Sequence, residues 1–186
     1  MYSDTEETLA AISTAYADAS DVAAALRKIL GLRSPYEPSD DSAELLRHGL
    51  LYGLPIRPEM SVYDDLKNSG ELALLNNPDL RQALSRMETG LETLQLTQAD
   101  LTTVQQLNID SYMVDRMDLS NFYGELSGLP PANIGSRIDL EFVADRQFRN
   151  RVLLKLDLVT QLEIVLGETE SRVREVKRLL TFELES

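Results

Sequence analysis

Residues 61–84 of this chain read SVYDDLKNSGELALLNNPDLRQAL, and they predict a corner between two helices. Ser61 is a helix-capping residue type, and an acidic residue follows three positions later, as in a capping box. Gly70 can adopt the left-handed conformation that ends a helix. Asn77 can cap the next helix, with Pro78 at the first helical position, where a missing N–H costs nothing. The stretch therefore determines how two helices meet and carries no catalytic pattern.

Composition limits the classes of protein to which the chain can belong. Of 186 residues 43% are hydrophobic, which is enough for one core and excludes an intrinsically disordered chain. The 31 acidic and 18 basic residues give a net charge of −13, which disfavours nucleic-acid binding. The absence of cysteine excludes disulfides, thiolate catalysis and cysteine-based zinc sites. No apolar run of about 18 residues is present to span a membrane.

Apolar residues recur at spacings of three and four along two long stretches, as in helices that pack lengthwise against other helices. We predict one helix over about 4–31 and another over about 77–118. The apolar stripe of the first is Leu9, Ile12, Tyr16, Ala19, Ala23, Leu26 and Leu30. The stripe of the second begins with Leu80, Leu84, Met87, Leu91 and Leu94, and is diluted by Gln98, Gln105 and Asn108.

A third long helix is predicted over about 139–184, opened by Asp139. Its second half, 168–185, is too short and too charged to be stable alone. We expect it to dock on the helix at 4–31 as an antiparallel neighbour, or on a second copy of the chain. The apolar stripe of this helix is Phe148, Val152, Leu156, Val159, Leu162, Leu166, Val173, Val176 and Leu180.

Two connectors join these helices, at residues 32–76 and 119–138. In the first, Ser39 or Asp40 is expected to cap a short helix that ends near Leu54. The second contains Pro130 and Pro131, which exclude helix there. The prediction is an all-α protein, a single helical domain over 1–186, built as an elongated up-down bundle of three long helices with short helices in both connectors.

Residues with chemical potential are scattered along the chain. His48 is the only histidine and is interpreted as a boundary residue of its helix, because a lone histidine cannot build the usual zinc site. Tyr63 and Lys67 lie one turn apart, and Lys67 is spaced to form a surface ion pair with Asp64. Four tyrosines are expected at core edges with their hydroxyls in water, or else lining a ligand pocket: Tyr52, Tyr63, Tyr112 and Tyr123. We predict no catalytic, cofactor-binding or metal-ligating residue.

The corner resembles a signature of a bacterial family of unknown function, Tyr-Glu-x-Leu-Lys-x-Ser-Gly-x-Leu-x-Leu-Ile-x-Asn-x-x-Leu-Arg. A weaker resemblance to the family's last helix covers residues 139–180. Aspartate replaces the signature glutamate, and Pro78 is an addition. At the signature positions this chain has Tyr63, Asp64, Leu66, Lys67, Ser69, Gly70, Leu72, Leu74, Leu75, Asn77, Leu80 and Arg81.

The resemblance implies a short protein with one N-terminal membrane anchor, which would precede Met1, and a domain on the extracytoplasmic, periplasmic face of the bacterial inner membrane. It implies no activity, cofactor or catalytic residue. The leading hypothesis is a non-enzymatic domain that binds a protein partner or itself in a membrane-associated assembly. The alternative is a small-ligand sensor, with a pocket near Gln98, Gln105 and Tyr112. An enzyme is the third and least favoured hypothesis.

Overall fold

The computed structural model describes residues 2–31, 41–51, 53–54, 56, 58, 61–116 and 141–185. Every regular element in these ranges is helical and none is a strand, so the prediction of an all-α protein is confirmed. None of the described helices is long and apolar enough to cross a bilayer. The predictions made for Ser39, Asp40, Tyr52, Tyr123 and the connector 119–138 fall outside the described residues.

The described elements are three long helical runs and several short ones. They are α1 (Tyr2–Gly31), α2 (Asp41–Leu46), a first π-helix (Arg47–Leu51), α3 (Ser61–Ser69), a 3₁₀ turn (Glu71–Leu74), α4 (Pro78–Val104), a second π-helix (Gln105–Asp110), α5 (Ser111–Arg116), a second 3₁₀ turn (Glu141–Ala144) and α6 (Arg146–Glu185).

The last long helix begins later than predicted, at Arg146. Asp145 caps it, because its Oδ1 accepts a hydrogen bond from the Gln147 amide at 2.9 Å. The 3₁₀ turn precedes this cap, and Asp139 lies outside the described residues. The predicted helix over 77–118 is continuous through α4 and α5, but a π-helical turn interrupts its regular pitch.

The corner folds as its sequence indicates. Gly70 has φ 78° and ψ 2°, the left-handed conformation, and its amide donates to the Lys67 carbonyl at 3.2 Å. Asn77 Oδ1 accepts hydrogen bonds from the amides of Asp79 and Leu80, at 3.0 and 3.1 Å. Capping by Ser61 stays a prediction, since α3 begins at Ser61 itself.

The chain divides into two compact units, and each contains parts of α1, α4 and α6. Unit 1 comprises residues 1–19, 54–98 and 161–186, and unit 2 comprises residues 20–53 and 99–160. The helices of the first connector add a fourth segment to each unit: α3 in unit 1, and α2 with the first π-helix in unit 2. The single-domain prediction is untested by this division.

In unit 1 the second half of α6 runs antiparallel to α1. Lys177 Nζ lies 2.8 Å from Glu6 Oε1, and the Tyr16 ring faces Gly167 further along both helices. The same half also contacts α4: Thr169 Oγ1 donates to the Val165 carbonyl of its own helix at 2.7 Å and lies 3.3 Å from the Gly90 carbonyl of α4. The predicted docking of this half on α1 is confirmed. Its buried apolar residues are Val173, Val176, Leu179 and Leu180.

The buried face of α1 is rotated relative to the predicted stripe. Tyr16, predicted to be on the stripe, is 44% exposed, while Ala15 beside it is buried. A tyrosine is too large for the close helix approach that alanine allows, so the helix turns its smaller residues inward. Four residues of the predicted stripe are buried, and its two terminal leucines are half-buried. The buried four are Ile12, Ala19, Ala23 and Leu26, and the further buried positions beside them include Thr8, Ala15, Val22, Ala25 and Ile29.

In unit 2 the first π-helix packs closely against α1. A Cβ atom added at Gly49 would lie only 2.7 Å from Ile29 Cδ1 and 3.4 Å from Ala25 Cβ. A larger residue at position 49 would therefore force the end of the Ile29 side chain to move. The close packing brings the main chain of the first π-helix, including the Leu50 carbonyl, into the core of the unit.

Candidate functional site

The buried stripe of α6 contains two polar residues that the sequence analysis passed over. It runs with spacings of four and three through Phe148, Val152, Lys155, Val159, Leu162, Leu166, Thr169, Val173, Val176 and Leu180. Lys155 and Thr169 are each 1% exposed, whereas Leu156, assigned to the stripe from sequence, is only half-buried. Strict continuation of the spacing would have identified both, because it passes through positions 155 and 169.

Lys155 points at the end of the first π-helix in unit 2. Its Nζ donates a hydrogen bond to the Leu50 carbonyl at 2.9 Å. Carbonyl groups in the last turn of a helix have no partner within the helix, and a cation there complements the helix dipole. The Lys155 ammonium thus caps the helical run 41–51 from the side.

Gln105 shares the same carbonyl. Its Nε2 donates to Leu50 O at 2.8 Å and to Asp110 Oδ1 at 2.5 Å. The second π-helix makes the latter contact possible, because its wider turn brings residues five apart next to each other. Gln105 Oε1 is buried and has no hydrogen-bond partner among the described residues.

Burial dominates the electrostatics of this site. It lowers the pKa of Lys155 to about 8, against a smaller opposing effect from the Asp110 carboxylate. An amine with such a pKa exchanges protons near neutral pH, but this one is enclosed and engaged by a main-chain carbonyl. Lys155 therefore acts as a buried helix cap. The residue is 1% exposed, so a substrate could not contact its amine in this conformation.

A second polar cluster in unit 2 joins α5 to the start of α6. Tyr112 OH donates to Asp145 Oδ2 at 2.7 Å, and the Arg151 guanidinium lies 4.8 Å from the centre of the Tyr112 ring. Burial, followed by the bond to Asp145, raises the pKa of Tyr112 to about 12. The Phe148 ring completes the cluster at 5.7 Å from Tyr112.

In unit 1 the Tyr63 and Lys67 side chains meet on one carboxylate. Tyr63 OH donates to Glu88 Oε2 at 2.8 Å, and Lys67 Nζ is bonded to Glu88 Oε1. Burial, and then Glu88, raises the pKa of Tyr63, and the bond from Lys67 lowers the pKa of Glu88. The cluster ties α3 to α4, and the ion pair of Lys67 is with Glu88 rather than with the expected Asp64.

The residues proposed to line a pocket are engaged elsewhere. Gln98 Nε2 donates to the Leu54 carbonyl at 2.9 Å within unit 1, and Gln105 and Tyr112 have the partners described above. The hydroxyls of Tyr63 and Tyr112 donate hydrogen bonds to carboxylates, so the expectation that these hydroxyls lie in water is wrong. His48 is half-buried in the first π-helix, in agreement with a boundary position.

Unit 1 contains a cavity of about 310 Å³, beside the first turn of α1, the start of α4 and the last turns of α6. Its walls are mainly apolar. The residues around it are Tyr2, Leu75, Asn76, Asn77, Leu80, Leu180 and Glu183.

Comparisons of the chain with protein-family models, with curated proteins and with solved structures found no match.

Proposed function

We propose that this chain is a non-enzymatic helical domain that binds a protein partner, either another protein or a second copy of itself. In this proposal α1, the run α4–α5 and α6 form an up-down bundle, with the connector helices packed on it. The antiparallel pairing of α1 with α6, marked by Glu6 and Lys177, supports that arrangement.

One observation carries the proposal of partner binding. Between residues 105 and 116, Leu107 is 70% exposed and Val114 is 67% exposed. The same stretch contains the second π-helix, a local irregularity that is frequent at functional sites. Two large apolar side chains held in water on one short helical stretch favour a surface that a partner covers.

The test is site-specific photo-crosslinking in cells that express the full protein. A benzophenone amino acid replaces Leu107 or Val114 in turn, and replaces exposed Ser85, several turns earlier on α4, as the control. We expect a discrete crosslinked product from positions 107 and 114 and none from 85. Equal crosslinking at all three positions, or none at any, would refute partner binding through this stretch.

Light scattering of the purified chain then identifies the partner. A mass that rises with concentration, and returns to the monomer value in Leu107→Asp, indicates a second copy. A constant monomer mass together with crosslinks at 107 and 114 indicates a different protein. Leu107→Asp is not expected to alter folding, because its side chain is already exposed.

The proposal includes the membrane setting implied by the sequence resemblance: an anchor preceding residue 1 and a domain on the periplasmic face of the inner membrane. Added protease should then digest the domain in spheroplasts with intact inner membranes. Resistance in spheroplasts, with digestion only after lysis, would contradict that location.

The cavity in unit 1 favours a second candidate function, a small-ligand sensor. Its volume of about 310 Å³ is at the lower end of the range of roughly 300–1,000 Å³ that is typical of small-molecule sites. Its lining does not include Gln98, Gln105 or Tyr112, the residues of the predicted pocket. A saturable ligand-induced rise in melting temperature, abolished when the cavity is filled by a larger side chain, would support this function.

A further inference from the structure

The cavity in unit 1 has an apolar interior and a polar mouth. Leu80 and Leu180 form its walls and are 2% and 8% exposed, so they belong to the core of the unit. Leu75 completes the apolar lining. The other lining residues lie nearer the protein surface: Tyr2, Asn76 and Glu183 are exposed and Asn77 is half-buried.

The size of the cavity suits a small aromatic or branched hydrocarbon group. Its volume of about 310 Å³ is roughly twice that of an apolar cavity of about 150 Å³ that holds benzene. Removing such a group from water against three leucine side chains is favourable, because the gain follows the apolar area buried.

Glu183 supplies the charge at the mouth. Its Oε1 accepts a hydrogen bond from Asn77 Nδ2 at 2.5 Å, and this bond orients the carboxylate. Its Oε2 receives no hydrogen bond from the described residues, so one acceptor remains for a ligand.

Arg81 and Lys177 each contact a residue of the cavity lining, and each already has an acceptor. Arg81 Nη1 donates to the Leu75 carbonyl at 2.5 Å. Lys177, which lies 5.3 Å from the centre of the Tyr2 ring, donates to Glu6 at 2.8 Å. Among the described residues that line the cavity, Glu183 is the charged one. The net charge of −13 adds a long-range preference for cationic over anionic ligands.

We propose that this cavity binds a small monoamine with an apolar body, its hydrocarbon part among Leu75, Leu80 and Leu180 and its ammonium on the Glu183 carboxylate. The proposal rests on the second candidate function, ligand sensing, and is independent of partner binding through Leu107.

Three probes of matched shape test the ligand class: 2-phenylethylamine, 2-phenylethanol and phenylacetate. Each is titrated into the full chain with methyl-labelled leucine and followed by NMR. We expect the amine to shift the methyl signals of Leu75, Leu80 and Leu180 saturably. The alcohol should bind at least fivefold more weakly, and the carboxylate should produce no saturable shift.

Two variants and one control localise the binding. Leu75→Trp fills the cavity from its half-buried edge and should abolish binding of the amine. Glu183→Gln keeps the hydrogen-bonding shape but removes the charge, so amine and alcohol should bind equally. Glu175→Gln, two turns earlier on α6 and outside the cavity lining, should retain the preference for the amine.

The outcomes separate the two levels of the proposal. Equal binding of amine and alcohol to the unaltered chain overturns the amine class while leaving a ligand site in place. No saturable shift with any of the three probes overturns the cavity as a site and removes the support for ligand sensing. Unchanged preference in Glu183→Gln refutes the role given to that carboxylate.

Discussion

At Gly70 the backbone adopts φ 78°, and no atom lies within 4 Å of where a Cβ would stand. The requirement for glycine is therefore one of backbone conformation and not of space. At Gly49 the reverse holds, since a Cβ would meet Ile29 at 2.7 Å. Two glycines of one connector thus have different physical roles, backbone conformation at position 70 and close packing at position 49, and only the first was recognisable from neighbouring sequence.

Gly70→Val should lower the free energy of unfolding by more than about 1 kcal/mol, because a β-branched residue fits the left-handed conformation poorly. Chemical denaturation followed by circular dichroism measures the change. Gly31→Ala is the control, since Gly31 ends α1 in open space and should tolerate alanine without loss. Stability of Gly70→Val equal to that of the unaltered chain would contradict the strain argument.

Lys155 should make the free energy of unfolding increase as the pH rises above neutrality. Its pKa of about 8 in the folded chain is below the unfolded value, so the folded state binds fewer protons above neutrality. The penalty of burying the charge is fully present below pH 8 and is relieved as pH rises toward the unfolded pKa. We expect the free energy of unfolding to rise by about 1 kcal/mol between pH 7 and 9 from this residue.

The control for this prediction is Lys155→Met, which keeps an unbranched, flexible side chain one atom shorter and removes the amine. It should remove that rise between pH 7 and 9, and at pH 7 it should be at least as stable as the unaltered chain, because the Leu50 carbonyl keeps the Gln105 donor. Urea titrations at the two pH values give both numbers. An identical pH dependence in Lys155→Met would show that the amine is not the titrating group.

At the scale of elements, α6 is one helix of 40 residues with a continuous buried face. Its second half is dense in charge and has i to i+3 or i+4 ion pairs on the exposed side, such as Glu170 with Arg174 and Glu175 with Arg178. Pairs of this kind stabilise a helix by only about 0.2–0.5 kcal/mol each. Contact with α1 and α4, through its buried residues, is therefore what keeps this half helical.

Hydrogen exchange should show this docking directly. Amides of residues 173–180 are expected to be protected to a similar degree as those of 152–166, since both ranges lie on the same buried face. Val176→Ala should reduce protection across the second half and cost on the order of 1–2 kcal/mol. Ser171→Ala, at an exposed position, should change neither. Rapid exchange of 173–180 in the unaltered chain would refute docking.

At the scale of the whole molecule, α1, α4 and α6 each contribute residues to both compact units. If one of these helices unfolds in one unit, the other unit loses part of the same helix. We therefore expect a single cooperative thermal transition, with equal calorimetric and van't Hoff enthalpies.

Matched core variants test this cooperativity. Leu84→Ala lies in unit 1 and Leu26→Ala in unit 2, and both leucines are at most 1% exposed. Each should cost about 2–5 kcal/mol and lower the one melting temperature of the whole chain. Two separate transitions, with each variant shifting only one, would contradict the prediction of a single domain.

The sequence by itself determined the helical class, the three long helices and the corner, because these depend on local signals. Leucine spacing in α4, the glycine at position 70 and the cap at Asn77 act within a few residues of chain. The start of α6 was misjudged, since Asp139 and Asp145 are equally good caps by residue type.

Three features were decided only by the tertiary structure: which face of α1 is buried, which carboxylate pairs with Lys67, and why Lys155 is buried. Each of these depends on a neighbour distant in sequence: Gly167 beside Tyr16, Glu88 beside Lys67, and the Leu50 carbonyl beside Lys155. A charged residue is normally exposed, and nothing near position 155 in the chain supplies its acceptor. Long-range pairing of a buried polar group is a property of packing, and periodicity alone does not contain it.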